Sequence, residues 1–514
     1  MRFKVGNARY QQSFLSLDDQ ISSENTVRLI DKICNEFTDN HLEAIRKLIS
    51  ELPGQNQEDN KNKGTKGTGR KAYHPGDLLK LFVYGYFNAV SSSRKIEAEC
   101  QRNIEVKWLL SGLVPDHKTI SDFRKDNPDL IRGLFEFLVK RFVEMKIIVG
   151  KKTAVDGTKV KAYASKEIRQ KDLQKKLTKI EEQLGKYMAD MAKIDALEDD
   201  CEEAEKKKEQ LIEDIETLES KKKALEGSVE SLKAENLERK CLTDPESKIM
   251  KTRQGMHYSF NLQIAVDTEC HMVTDYLLTN QQNDKGLLSA MVAGSEKVTG
   301  QKPGEVLADG GYYSAAEIEE IEKRNTECFV AINETGSKLN DEENGLEFNY
   351  NKEKDHYVCS GGRILVYKRK KTENGFVKRI YKSKDCSGCK FLDLCTKPNS
   401  KDRNRTYTRN HNQDYIDAYK EKMKSDEGRA KMVKRKSTVE HPFGTMKYCM
   451  GQIPVLLRGK KKVASEMGLY VIAYNLKRFI TLKAKNPTFS WPDSGILDSK
   501  SGNSNSKFLY VFYN

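Results

Sequence analysis

Between Ser165 and Leu237 the chain carries a charged segment whose apolar residues return alternately every four and three positions. Leu173, Leu177, Ile180, Leu184, Tyr187, Met191 and Ile194 open the series, and Leu211, Ile215, Leu218, Leu225, Val229 and Leu232 keep its register. Glu198, Lys208 and Lys222 interrupt the seam. Such a repeat specifies a coiled coil, because the recurring positions share one stripe of a helix. One unbroken helix of this length would span roughly 100 Å and carry its flanks far apart. Those flanks read as strands of one sheet, so an antiparallel hairpin turning near Asp195–Asp200 is expected. A straight helix that dimerises is the rival, and the continuous register favours it.

The flanking segments have the period of strands. Thr153–Val160 alternates apolar and polar residues, and Tyr258–Val266 with Met272–Leu278 reads as a hairpin around Asp267–Cys270. A helix follows over Gly286–Val298, then a short apolar strand, Glu305–Ala308, running into Asp309. A capped helix, Ser314–Lys323, and a buried-type strand, Cys328–Ile332, complete the series. The expected class is mixed α/β, a sheet with helices on its faces.

Upstream, apolar residues recur at helical spacing over Val27–Ile49, and Gly54–Gly69 is a polar linker. Asp77 is read as the cap of a helix through Leu78–Tyr84, and Ser93 as the cap of a second. Pro115–Arg124 starts a third. Short helices with tight connections, one bearing Lys118 and Arg124, suit a helix-turn-helix-like DNA-binding unit or a bundle that only packs. The polar tail from Asn486 onward is expected to be flexible.

Composition narrows the class. The chain has 514 residues, enough for about three structural units. Lys and Arg number 90 against 76 Asp and Glu, a net charge of +14 that suits a polyanionic partner. The excess crowds into Lys368–Lys371, Lys434–Lys436 and Arg458–Lys462. No apolar run of about 18 residues exists, which excludes a helical membrane protein, and Met1–Gln12 lacks the apolar stretch of a signal peptide. Eleven cysteines, an odd number, favour a reducing compartment, so a cytosolic location is expected.

Two acids stand where a sheet presents functional groups: Asp156 within the first strand and Asp309 at the end of a later one. Each precedes a glycine, which permits close approach, although Asp-Gly is also ordinary strand-ending turn chemistry. Glu440, in R-K-S-T-V-E-H-P-F-G, reads by itself as a surface residue. Chemistry that would need all three is metal-assisted attack on a phosphodiester, with two hard divalent ions held by oxygen ligands. The neighbouring Lys436 and Arg458 would then hold the polyanion. Separately, Cys359, Cys386, Cys389 and Cys395 have knuckle-like spacing that suits tetrahedral zinc. An iron–sulfur cluster would use the same ligands, and four free thiols are the plain alternative.

The ordered motifs resemble bacterial insertion-sequence DDE transposases with a ribonuclease-H-like core, in the group related to insertion sequences types four and five. The resemblance rests on A-V-D-G-T-K-V at Ala154–Val160, Y-S-F-N-L-Q-I-A-V-D at Tyr258–Asp267 and L-A-D-G-G-Y-Y-S at Leu307–Ser314. It continues in R-K-S-T-V-E-H-P-F-G-T-M-K at Arg435–Lys447, L-L-R-G at Leu456–Gly459 and A-Y-N-L-K-R at Ala473–Arg478. Y-H-P-G-D-L-L-K-L-F-V-Y-G-Y and P-D-H-K-T-I-S-D-F-R resemble the helical domain preceding that core. The resemblance implies that Asp156, Asp309 and Glu440 are catalytic acids binding two Mg2+ or Mn2+ ions, and that Arg435 and Lys447 contact DNA phosphates. Similar transposases also carry the cysteine pattern. Met432 stands where related sequences often have tyrosine, and Pro442 suggests a kink near Glu440.

The implied organisation is a helical DNA-binding domain (1–150) and a catalytic core (151–164 and 250–334) interrupted by the coiled coil (165–240). A β-rich cysteine insertion (335–425), the helical part bearing Glu440 (426–485) and a tail (486–514) would follow. The implied partners are element-end and target DNA, bound by a homodimer or higher oligomer in the bacterial cytosol, with no membrane. A catalytically inactive DNA-binding regulator, or a nuclease without strand transfer, is the alternative.

Overall fold

A computed structural model describes residues 16–41, 72–164, 167–195, 202–234, 238–252, 254–332, 344–373, 376–396, 403–410, 412–450 and 455–492. The linker expected over 54–69, positions 196–200 of the expected turn and the tail from 493 lie outside the described residues.

The chain begins with helices α1 (Thr26–Asn40), α2 (Pro75–Phe87), α3 (Ser93–Arg102), α4 (Ile104–Leu109), α5 (His117–Asp126) and α6 (Pro128–Glu144). In two of them the cap position falls before the residue expected, by three places in α2 and by one in α3. α2 is capped by His74, whose Nδ1 accepts the Gly76 N–H at 3.1 Å, with Pro75 first in the helix where no donor is needed. Asp77 lies inside that first turn, and Ser92 rather than Ser93 holds the cap position of α3. Asp116 caps α5, accepting from Lys118 and Thr119 N–H at 3.0 and 2.9 Å.

Next come β1 (Lys152–Lys161), β2 (Glu167–Arg169), α7 (Gln170–Asp195), α8 (Glu202–Ala234), β3 (Arg239–Cys241), β4 (Lys248–Thr252), β5 (Gly255–Asp267) and β6 (Val273–Thr279). Leu173 at the start of α7 packs with Val229 and Leu232 at the end of α8, so the two helices run antiparallel above the β2–β3 pair. Lys222, a charge within the apolar repeat, reaches Glu181 on the facing helix at 3.1 Å.

α9 (Leu288–Thr299), β7 (Glu305–Ala308), a 3-10 turn at Gly310–Tyr312, α10 (Ala315–Lys323) and β8 (Glu327–Val330) follow. The main sheet has the order β4-β5-β1-β7-β8, with β6 also on β5. β7 pairs parallel with β1 and with β8, whereas β5 pairs antiparallel with β4 and β6. The protein is therefore mixed α/β.

A second sheet, antiparallel throughout, comprises β9 (Phe348–Asn351), β10 (His356–Cys359), β11 (Ile364–Glu373), β12 (Phe376–Ser383) and β13 (Thr406–Asn410), in the order β13-β12-β11-β10-β9. Tyr357, Leu365 and Tyr381 form its core, flanked by Phe348, Tyr350 and Tyr407. The short helix α11 (Leu392–Cys395) precedes β13, and α12 (Gln413–Lys424), α13 (Asp426–Gly444), a π-helical stretch at Thr445–Cys449 and α14 (Lys460–Lys485) end the described chain.

The chain divides into two compact units: Met1–Ile148 with Lys159–Phe260 and Gly444–Asn514, and Val149–Thr158 with Asn261–Phe443. The first buries Phe37, Phe82, Phe142, Met467 and Phe479 among α1, α2, α6 and α14. The second buries Val155, Ala265, Met291, Val306, Tyr312 and Val330 between its sheet and helices. No described helix is long and apolar enough to cross a membrane.

Candidate functional site

β1 and β7 pair with Val155 opposite Ala308. The next residue on each, Asp156 and Asp309, is thereby brought alongside the other by register alone. Asp156 Oδ1 accepts from Gly157 N–H at 2.8 Å, and Asp309 Oδ1 accepts from Gly311 N–H at 2.8 Å as it caps the 3-10 turn.

The glycines after these acids have a spatial reason. A side chain at position 157 would collide with Gln263 Nε2. One at 311 would meet Asp309 Oδ1 at 2.9 Å and Asp284 Oδ2 at 3.2 Å. Both positions keep space for converging polar groups.

Asp284, whose N-D-K-G segment has a counterpart in similar transposases but reads equally well as a helix cap, belongs to this cluster. Its Oδ1 accepts from Asn261 Nδ2 at 2.6 Å and Gln263 Nε2 at 2.8 Å, and the Tyr312 hydroxyl donates to Gln263 Oε1. A signal existed in N-L-Q at Asn261–Gln263. Two amides two apart on a core strand share a face, and buried amides require partners.

Burial dominates the electrostatics. It pushes the Asp156 carboxyl up to about 6; Arg435 opposes the shift, while Asp309 and Asp284 add to it. Burial also raises the Tyr312 hydroxyl well above its ordinary range, with further contributions from Asp284, Asp156 and Asp309, so it remains a donor.

Arg435 reaches the site from α13, its Nη1 3.4 Å from Asp156 Oδ2. That distance permits an ion pair, but the nitrogen is buried and among the described residues has no hydrogen-bond partner. A charged donor so placed fits an anionic oxygen. One turn earlier, Lys431 bonds to Glu305 on β7. Together with buried Thr438, Val439 and Pro442, these side chains define the inward stripe of α13.

Glu440 is not on that stripe. It lies about 140° around the helix from Arg435, is exposed, and contacts Lys436 at 3.9 Å. The convergence expected for three acids is therefore not present here: the structure brings Asp156 and Asp309 together with Asp284 and leaves Glu440 facing away. Two ion pairs and the apolar Val439 and Pro442 decide which face turns inward. The kink expected at the proline is displaced as well, since α13 continues through Pro442 to Gly444 before relaxing into the π-helical stretch.

The basic residues expected at DNA separate in the same way. Lys118, Lys436 and Arg458 are exposed, the Arg458 guanidinium lying 4.8 Å from the Tyr163 ring, and Lys447 is half-buried in the π-helical stretch. Arg124 is a correction: it is 3% exposed, donates to Tyr86 Oη at 2.8 Å and Ser91 O at 3.0 Å, and sits over the Phe82 ring. A guanidinium enclosed in this way holds a helical core together and does not face DNA.

Cys359, Cys386, Cys389 and Cys395 line one cavity of about 20 Å³, with Phe348 and Arg405 in its wall. That is room for roughly one water-sized occupant. Glycine turns at Gly362 (φ +70°) and Gly388 (φ +65°) fold the two knuckles. A side chain at Gly361 would meet Cys389 Sγ at 2.6 Å and Cys359 Sγ at 3.7 Å. All four are free thiols, a donor set suited to zinc. Among the described residues, however, no three His, Cys, Asp or Glu side chains are drawn together closely enough to hold an ion as they stand.

These features define a mixed α/β protein with paired carboxylates on adjacent parallel strands beside an arginine. Comparison with known families goes further: a family model described as Transposase DDE domain matches residues 358–480, and one described as Transposase domain (DUF772) matches residues 15–126. Both matches are to transposase families and support an insertion-sequence DDE transposase. The first match includes the four thiols, Arg435, Glu440, Lys447 and Arg458, and the second includes Lys118 and Arg124; Asp156 and Asp309 lie outside both. No curated protein and no solved structure matches the chain.

Proposed function

We propose that the protein cuts DNA strands at the ends of a mobile element and transfers them into target DNA. The observation that carries this reading is the pairing of Asp156 and Asp309 on adjacent parallel strands, beside Asp284 and Arg435, in a chain that matches these families. The strand order, with antiparallel β4, β5 and β6 on one side and parallel β7 and β8 on the other, supports a ribonuclease-H-like core over 151–164, 250–334 and 426–485. Residues 1–150 would form the DNA-binding domain, with 165–240 and 335–425 as insertions. Cleavage of two ends calls for a dimer or larger assembly on DNA.

Two Mg2+ or Mn2+ ions, when bound, would supply activation of the attacking oxygen and stabilisation of the leaving one. Asp156 and Asp309 would hold them as hard oxygen ligands. Asn261 and Gln263 orient Asp284 toward the same place, and Tyr312 orients Gln263. Asp156 must shed its proton to serve as a ligand, which its burial delays until about pH 6. Arg435 would take a phosphate oxygen at its unsatisfied nitrogen. The four thiols would hold a structural zinc.

The test is cleavage of a labelled element-end duplex with Mg2+ or Mn2+ by the native protein and by Asp156→Asn and Asp309→Asn. Metal-dependent nicking that both variants lose, with binding retained, is the expected result. Binding of verified ends without cleavage in either metal overturns the reading.

One observation favours a second reading, a DNA-binding regulator without catalysis: Glu440 faces away from the acid pair. Glu440→Gln and Asp284→Asn separate the cases. If α13 turns on binding DNA to complete the site, Glu440→Gln abolishes cleavage. If Asp284 supplies the third carboxylate, Asp284→Asn abolishes it and Glu440→Gln does not.

A further inference from the structure

The hairpin of β11 and β12 carries a concentrated excess of positive charge outside the acid site. Ile364–Ser383 carries seven basic residues and one acid, a net +6 against +14 for the whole protein. Four of the basic residues, along both strands, are already engaged. Arg379 bonds to Asp355 and stacks 4.8 Å from the Tyr367 ring, and Lys371, Lys378 and Lys382 also have partners. Lys368, Arg369 and Lys370 are exposed, and among the described residues none of them pairs with an acid.

The pairing register makes the arrangement unusual. A bulge between Tyr367 and Arg369 leaves Lys368 as the extra residue. Beyond it, Lys370 faces Arg379 and Lys371 faces Lys378, and Arg369 lies opposite Ile380. Successive pairs point to opposite faces, so both faces of the ribbon are cationic. Like charges directly opposite one another destabilise a hairpin. β10 pairs with β11 only as far as Val366, so among the described residues the cationic half of β11 has no strand on that side.

We propose that this ribbon is a second DNA-contacting element, which enters the major groove of a duplex. The proposal rests on the reading of the protein as one that acts on DNA. A major groove about 12 Å wide admits a two-stranded ribbon and flanks it with phosphates on both sides, within reach of both cationic faces. A flat cationic surface would need charge on one face only. An A-form duplex would exclude the ribbon, because its major groove is too narrow for side chains to read.

Lysines on an open edge also protect against strand-to-strand aggregation, so the test must separate the two roles. The full chain would be compared with the triple variant K368Q/R369Q/K370Q for duplex DNA binding across a salt series. Three lost phosphate contacts should reduce the slope of log affinity against log salt by about 2–3 units. Protection of guanine N7 from dimethyl sulfate should disappear over part of the footprint, with the thermal transition unchanged. Cleavage at saturating DNA should persist in the variant. If native protein does not cleave, the salt slope and footprint still decide the matter, so failure of this inference differs from failure of the catalytic reading. An unchanged slope with new self-association assigns the lysines to edge protection and overturns the proposal. Tighter binding of an RNA duplex, or of anionic vesicles, than of DNA overturns it equally.

Discussion

At the scale of single residues, burial changes what a side chain can do. Asp156 sits on β1 after Val155, partly buried beside Arg435, and desolvation raises its carboxyl to about 6. Its folded value exceeds its unfolded one, so its charge costs stability as pH rises from about 4 to about 6, and the full cost persists above that. Asp156→Asn should therefore stabilise the protein at pH 8 by about 2–3 kcal/mol, with the gain vanishing below pH 4 in thermal melts; an equal gain at pH 3.5 would refute the cause. Arg124 shows the opposite case, a buried cation whose neighbours include Tyr86 and the buried Glu466. Glu466 accepts from Leu456 and Leu457 N–H at 3.0 Å each through Oε2, so removing the arginine strands a carboxylate that also organises a loop. Arg124→Met should cost about 3–5 kcal/mol in denaturant unfolding while leaving the salt dependence of DNA binding by the folded fraction unchanged.

At the scale of elements, local chemistry and packing each settle different questions. The period-two segments form strands where expected, because alternation and β-branched content suffice to specify them. Helix starts needed more: His74 outcompetes Asp77 as a cap because Pro75 fixes where the first turn begins. α13 is amphipathic in an unusual sense, its inward face marked by Lys431 and Arg435 as well as by Val439 and Pro442. No hydropathy pattern would select that face. In the second sheet the knuckles bring four thiols to one cavity. Purified under reducing conditions, the protein should carry about one zinc per chain through this donor set. Cys386→Ser with Cys389→Ser should lose it and lower the melting temperature; full metal content in that variant would place the zinc elsewhere.

At the scale of the whole molecule, the long heptad segment returns on itself, and its apolar seam is filled by its own partner helix. A seam satisfied within one chain has little left to offer a second copy. Replacing residues 170–234 by a short linker should therefore leave the number of chains per particle, measured by sedimentation equilibrium with and without DNA, unchanged. Loss of a dimer in that experiment would show that exposed positions such as Met188 and Ile212 serve a partner. The two compact units are each assembled from segments distant in sequence, which is why composition along the chain does not mark their limits.

The sequence by itself determined the period-two strands and the helical segments, and limited the heptad segment to two allowed outcomes. Each follows from periodicity, which is a property of neighbours along the chain. Only the tertiary structure decided that Asp284 joins the acids, that Glu440 turns away from them and that Arg124 is enclosed. Those outcomes depend on which faces meet across segments far apart in the chain. The free energies of burial and ion pairing that select those faces exist only once the segments are in contact.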